Sequence, residues 1–126
     1  MTRKTGYIIF AHGSSVESAN AGVRLVAAEF ASRQASAMVE TAFLELAEPS
    51  LATAVDALAA RGVRQIFVLP YFLTLGIHLK RDLPKLAAEA AARHSASSIT
   101  IHIAPPLDGH PGLVDVLLQR AAEAAR

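Results

Sequence analysis

The sequence predicts an α/β fold: a four-stranded parallel sheet, doubly wound with helices on both faces in the flavodoxin-like manner. Three observations carry that expectation. Short apolar runs of strand length alternate four times with stretches whose apolar residues recur at helical spacing. Glycines and prolines bound most of these segments. No linker, repeat or low-complexity stretch interrupts the series, so each right-handed crossover returns to one sheet. The expected strand order is 2-1-3-4.

The first strand is residues 7–11, a continuous apolar run between Gly6 and Gly13, as suits a strand covered on both faces. Val23, Val26, Ala27 and Phe30 then fall at i, i+3, i+4 and i+7 and mark the first helix. Residues 38–44 form a second apolar run. Glu48-Pro49-Ser50 reads as a helix start with proline in the first turn, where its missing N–H costs nothing. Leu51, Val55 and Leu58 make the stripe of that helix and Gly62 stops it. Residues 65–69 are the third strand, closed by Pro70, and a loop leads to a third helix expected to begin near Asp82 as its cap. Leu83, Leu86, Ala87 and Ala90 share one face of it. Residues 98–103 are the fourth strand, ended by Pro105-Pro106. The last helix starts near Pro111 and carries Val114, Leu117, Leu118 and Ala121. The abundant alanine reflects helix propensity and close packing alone.

The chain has 126 residues, enough for one domain over 1–126. Apolar residues make up 52%, so a core can form, and the net charge of +1 with scattered Lys and Arg gives no footprint for nucleic acid. There is no cysteine, which excludes disulfides, thiolate metal sites and cysteine nucleophiles. Any metal must therefore be met by His, carboxylate, backbone oxygen or substrate. The basic opening from Met1 to Lys4 precedes an apolar run too short for a signal sequence, and nothing approaches the ~20 apolar residues of a membrane span. A cytoplasmic protein without a membrane partner is expected.

In an open parallel sheet, ligands bind beyond the carboxyl ends of the strands. Each strand here exits towards an ionisable residue: His12, Glu45, His78 and His110 in turn. All four lie on one edge and can converge. His12-Gly13-Ser14-Ser15 is the sharpest local feature, with a glycine for a tight turn and two hydroxyls able to cap the coming helix. It also reads as a polar turn with an incidental histidine. Residues 70–79 are unusually apolar for a loop. They form either an apolar platform beside His78 or a loop folded on its own core. Lys80 and Arg81 face solvent or an acidic ligand. One of Glu45 and Glu48 is expected to cap the second helix, leaving Glu45 as the better functional candidate. His110 reads as structural or as part of the rim. His94, at the end of the third helix, and His102, in the fourth strand, read as structural.

Taken together these motifs resemble the short-form class II chelatases of the CbiX/SirB type, which act on sirohydrochlorin in cobalamin and siroheme synthesis. The resemblance spans nearly the whole chain. It rests on His12-Gly13-Ser14 with Asn20, Ala42 to Glu45 with Glu48-Pro49-Ser50, Pro70 to His78 with Asp82-Leu83-Pro84, and Pro106 to Pro111. It implies that His12 and His78 bind the metal and face the macrocycle, with Glu45 near them. One departure is Ser15, where members of the family often carry an arginine that suits a substrate carboxylate.

That chemistry explains the residue types. A divalent ion must shed water, two pyrrole protons must leave, and the ring must be held against the ion. Neutral imidazole suits Co²⁺, Fe²⁺ and Ni²⁺ and can also take a proton near neutral pH. Two histidines and a carboxylate make an open site that hands the ion on, where a four-ligand cage would keep it. Phe72, Leu73 and Gly76 would lie along the flat ring, with Ser14 and Glu45 beside it, and Lys80 and Arg81 would meet its acidic side chains. The divalent metal is then a substrate, Co²⁺ first and Fe²⁺ or Ni²⁺ next, and no organic cofactor is implied. A half-size chain beside the bilobal chelatases implies a homodimer.

Two other readings stand beside this one. Mannose-type IIA phosphocarriers also place a histidine after the first strand, without requiring the apolar loop ending at His78. A non-catalytic cobalt or nickel binding protein would use the same ligands. A histidine phosphatase would need arginine where Ala11 stands.

Overall fold

The computed structural model describes residues 4–35 and 38–126. Its elements run β1 (Thr5–Ala11), α1 (Glu17–Gln34), β2 (Met38–Phe43), α2 (Leu51–Ala60), β3 (Gln65–Pro70), α3 (Ile77–Ala92), β4 (Thr100–Ile103) and α4 (Gly112–Ala124), with a short 3₁₀ turn at Ser95–Ser97. The basic opening at Met1, Thr2 and Arg3 lies outside the described residues.

The four strands form one parallel sheet in the order β2-β1-β3-β4, as the sequence predicts. Side chains alternate across it. Ile8 and Phe10 point to one face, where Ile66, Val68, Val55, Leu58 and Leu83 join them. Ile9 and Ala11 point to the other, against Val23, Ala27 and Phe43. Each large buried side chain of this kind stabilises the fold by about 1.5–3 kcal/mol. α2 and α3 pack together over the first face, and α1 lies over β1 and β2 on the second.

Several local expectations need correction. α3 begins at Ile77, five residues before the expected Asp82, with Gly76 as its N-cap. His78 is therefore in the first turn of a helix and not in a loop, and Asp82 caps nothing. Apolar packing decides this, because Leu75 and Leu79 lie against the α2–α3 core and draw the segment into helix. Pro49 precedes α2 instead of entering its first turn, joined to Glu48 by a cis peptide bond. Neither Glu45 nor Glu48 caps α2. Ser50 does, its hydroxyl accepting from Thr53 N–H at 3.2 Å. The hydroxyl of Ser14 accepts from Val16 N–H at 3.0 Å, so it braces the turn before α1 and not the helix itself, which has no side-chain cap. Ser98 and Ile99 fall outside β4. Val26 is exposed although it fits the helical stripe, and α4 buries none of its residues.

Candidate active site

The carboxyl edge of the sheet is tied together by backbone hydrogen bonds between successive loops. Leu44 N–H donates to Ala11 C=O at 2.9 Å and Glu45 N–H to His12 C=O at 3.1 Å. Tyr71 N–H reaches Phe10 C=O at 2.7 Å, and Leu107 N–H reaches Phe72 C=O at 2.9 Å. The loops after all four strands thus hold one another in register, which is what brings distant residues to one place.

Gly13 makes the closest of these approaches possible. Its φ is +92°, and a Cβ built on it would stand 1.8 Å from the backbone oxygen of Glu45. Only glycine fits there. Asn20, 2% exposed, secures the same turn from below. Its Oδ1 accepts from Ser14 N–H at 2.9 Å, and its Nδ2 donates to Ser14 C=O at 2.8 Å. Nearby, Arg24 pairs with Glu17 and lies over the Phe43 ring, 5.5 Å from its centroid. Arg24 and Asn20 together hold the Glu17 carboxyl below its ordinary range.

His12 sits on this turn with its polarity defined. Its Nδ1 is 3.1 Å from Gly13 C=O. A carbonyl only accepts, so Nδ1 carries hydrogen and Nε2 presents a lone pair in the neutral ring. That Nε2 faces Oε1 of Glu45 at 3.4 Å, with both side chains more than half exposed. Two acceptors facing each other call for a proton or a cation between them. For metal–ligand bonds near 2.1 Å, a tetrahedral edge is about 3.4 Å, so the pair is spaced to share an ion. The ring of Phe72 stands edge-on to His12, centroids 6.5 Å apart.

A cleft of about 780 Å³ opens beside His12. His12, Leu44, Phe72, Thr74, Gly76, His78 and Leu79 line it together with Ile77, Asp82, Lys85 and Leu86 of α3. His12 and His78, 66 positions apart in the chain, thus face one cavity. Among the described residues no three His, Asp or Glu side chains group closely enough to hold an ion, so His78 does not join His12 and Glu45 as a third preformed ligand. His78 Nδ1 is 3.4 Å from Arg81 Nη2. Arg81 also donates from Nε to Asp82 at 3.0 Å. That bond, with the charges of Arg81, Lys85 and His78, holds the Asp82 carboxyl below its usual range against the opposing effect of burial.

The remaining expected residues divide. Phe72 and Gly76 line the cleft. Ser14 works through its turn, and Glu45 meets His12 at the mouth. Leu73 and Lys80 are exposed outside the lining. Lys85 and Asp82 line the wall instead, and sequence reasoning missed them in that role. A helix starting at Ile77 would have flagged both, because His78, Asp82 and Lys85 then fall at i, i+4 and i+7 on one face. His110 Nδ1 accepts from Gly112 N–H at 2.9 Å, a local bond in the turn where α4 begins. His94 joins Arg93 on Asp56, both at 2.6 Å, tying the end of α3 to α2.

A family model, CbiX, matches residues 6–124 of the chain. The chain belongs to the CbiX family. A sirohydrochlorin cobaltochelatase of Saccharolobus islandicus is 34% identical over 123 residues, covering 94% of each chain. A chloroplastic sirohydrochlorin ferrochelatase of Arabidopsis thaliana is 36% identical over 115 residues, covering 91% of this chain and 50% of that one. Among solved structures, the sirohydrochlorin chelatase SirB of Bacillus subtilis subspecies spizizenii in complex with cobalt superposes with a TM-score of 0.81 at 30% identity. It is covered over 95% of this chain and 50% of its own. The chain therefore spans half the length of the plant and Bacillus relatives and nearly the whole of the archaeal one. Membership of the CbiX family sets the phosphocarrier reading aside. No helix of the described residues is long and apolar enough to cross a membrane.

Proposed function

We propose that the chain, as one domain over 1–126, is a cytoplasmic sirohydrochlorin chelatase that acts as a homodimer. It exchanges two pyrrole N–H protons of sirohydrochlorin for one divalent ion. Co²⁺ is the first choice and Fe²⁺ the second, in keeping with the named activities of the archaeal and plant relatives, and Ni²⁺ is the third. The observation that carries this reading is the facing of two imidazoles, His12 and His78, into one open cleft, with Glu45 at 3.4 Å from the first.

His12 Nε2 and Glu45 take the entering ion as two of its ligands and leave its other positions to water and to the incoming ring. His78 meets the ion from the first turn of α3 once Arg81, two-thirds exposed, swings away from Nδ1. So few protein ligands hold the ion loosely, and the four ring nitrogens outcompete them. The two leaving pyrrole protons pass one to each imidazole as the ion releases it, and from there to water. Phe72, Ile77 and Leu79 offer the ring an apolar wall, with Leu73 and Gly76 along its edge and Ser14 bracing the His12 turn. Lys85 at the wall and Lys80 beyond it attract the carboxylates at the periphery of sirohydrochlorin. The chain covers 94% of the archaeal relative and about half of the plant and Bacillus relatives, so two copies come close to the length of the latter.

The test is an absorbance assay of purified protein with sirohydrochlorin and each of Co²⁺, Fe²⁺ and Ni²⁺. Accelerated metal insertion is expected with at least Co²⁺ or Fe²⁺, abolished in His78→Ala with an unchanged circular dichroism spectrum. Full activity in that variant would overturn the assignment of His78. No acceleration with any of the three ions would overturn the function.

A further inference from the structure

The two histidines of the cleft are held in opposite polarities. His12 keeps its hydrogen on Nδ1, against Gly13 C=O, and turns the lone pair of Nε2 towards Glu45. At His78 the partner of Nδ1 is Arg81 Nη2, 3.4 Å away. A guanidinium only donates, so Nδ1 of His78 accepts and the hydrogen of the neutral ring sits on Nε2. One contact thus closes both nitrogens of His78 to a metal ion. Nδ1 is taken by Arg81. Nε2 gains a lone pair only if its hydrogen moves to Nδ1, which Arg81 must first vacate.

Arg81 is placed to let go. The contact is long for a hydrogen bond, and the arginine side chain is 67% exposed. Its other hold is Asp82, which it reaches from Nε at 3.0 Å. Asp82 does not depend on Arg81 alone, because Lys85 also acts on its charge and both line the cleft. A carboxylate arriving at the cleft can therefore take the guanidinium in a bidentate pair without leaving Asp82 uncompensated. The ring proposed for this cleft carries such carboxylates at its periphery.

We propose that Arg81 is a positioning residue that withholds His78 from the ion until a ring carboxylate draws the guanidinium off. The proposal rests on the chelatase reading above and adds an order to it: the tetrapyrrole completes the metal site that will fill it. His12 and Glu45 need no such release and meet the ion first. Linkage makes the effect mutual, so bound tetrapyrrole raises the affinity for metal and bound metal raises the affinity for tetrapyrrole. At saturating metal the ion itself displaces Arg81. The latch therefore sets how tightly the ion is held, and not how many imidazoles hold it at saturation.

Arg81→Ala separates this role from a structural one, because it should move two affinities in opposite directions. His78 and Arg81 are both exposed, so the fold should persist, as circular dichroism will verify. Co²⁺ alone, followed by calorimetry, should bind Arg81→Ala about fivefold tighter than the parent, since one competing hydrogen bond is gone. Sirohydrochlorin in metal-free buffer, followed by absorbance, should bind about fivefold more weakly, since one exposed ion pair is lost. The Co²⁺ titration repeated without His78 controls for charge: His78→Ala/Arg81→Ala should bind the ion no tighter than His78→Ala. An equal gain in both backgrounds would reduce Arg81 to a bare positive charge and overturn the latch. So would an Arg81→Ala protein that binds Co²⁺ no tighter than the parent, or sirohydrochlorin equally well. A parent that fails to bind Co²⁺ or sirohydrochlorin would defeat the chelatase reading itself. A parent that binds both leaves that reading standing whatever Arg81 does.

Discussion

Replacing Gly13 with alanine should damage the protein far more than its single added methyl suggests. The new Cβ would stand 1.8 Å from the Glu45 carbonyl oxygen and 3.0 Å from its carbon, both backbone atoms that cannot rotate aside. Alanine at φ +92° costs about 1–3 kcal/mol in backbone strain. Forcing the two loops apart adds about 1–3 kcal/mol of overpacking. Loss of the Glu45 N–H bond to His12 C=O removes about 1 kcal/mol more. A total near 5 kcal/mol lowers the melting temperature of a chain this size by about 20 °C. The same displacement pulls Glu45 away from His12, so metal insertion should fall with it, even well below the melting point. Gly22→Ala is the control: this glycine lies inside α1 with nothing within 4 Å of a Cβ. That change should raise stability by about 0.5–1 kcal/mol. Parallel circular dichroism melts and chelatase assays decide the matter. A Gly13→Ala protein that melts and turns over like the parent would refute the reasoning.

Three further outcomes are expected. Asn20→Ala strips the half-buried Ser14 N–H and C=O of their partners and should cost about 2 kcal/mol, read as a denaturant midpoint shift with slower metal insertion. Lys85→Glu should raise KM for the anionic tetrapyrrole about tenfold, with the effect shrinking as salt is added, whereas Lys80→Glu should do less because Lys80 lies outside the cleft. Equal effects of the two would remove Lys85 from its assigned role. Asp56 is held below the ordinary carboxylate range chiefly by the hydrogen bond from His94, with Arg93 adding and burial opposing. A depressed carboxyl contributes stability above its unfolded value, about 3.9, and loses it as pH falls through the lower folded value. Asp56→Asn should therefore cost about 1 kcal/mol near neutral pH, discounted for exposure, and converge with the parent in acid. A gap between the two proteins that widens in acid would contradict the assignment.

The strands and their order were legible because continuous apolar runs can be buried only in a sheet covered on both sides, and serial βα units leave few topologies. The stripe of α2 was equally plain, and Leu51, Val55 and Leu58 are all buried. The start of α3 was not. Gly76 caps that helix through its backbone conformation, with no side chain to announce it, and Asp82 offered a more familiar cap. Misplacing the start hid the face that carries His78, Asp82 and Lys85. Asn20 did carry a signal: it stands three and seven residues before Val23 and Ala27 on the buried face, and a polar residue in that phase must be hydrogen-bonded. For α4 the apolar period was visible, but periodicity says that a face wants cover without saying what covers it. The meeting of His12 and Glu45 depends on a backbone approach at Gly13 that only coordinates reveal.

The proposal that His12 and His78 share one ion can be tested directly by counting coordinated imidazole nitrogens with pulsed electron paramagnetic resonance, using Cu²⁺ as the bound probe. Two are expected in the parent protein and one in each of His12→Ala and His78→Ala. A parent signal from a single imidazole, unchanged when His78 is removed, would contradict the proposed metal site.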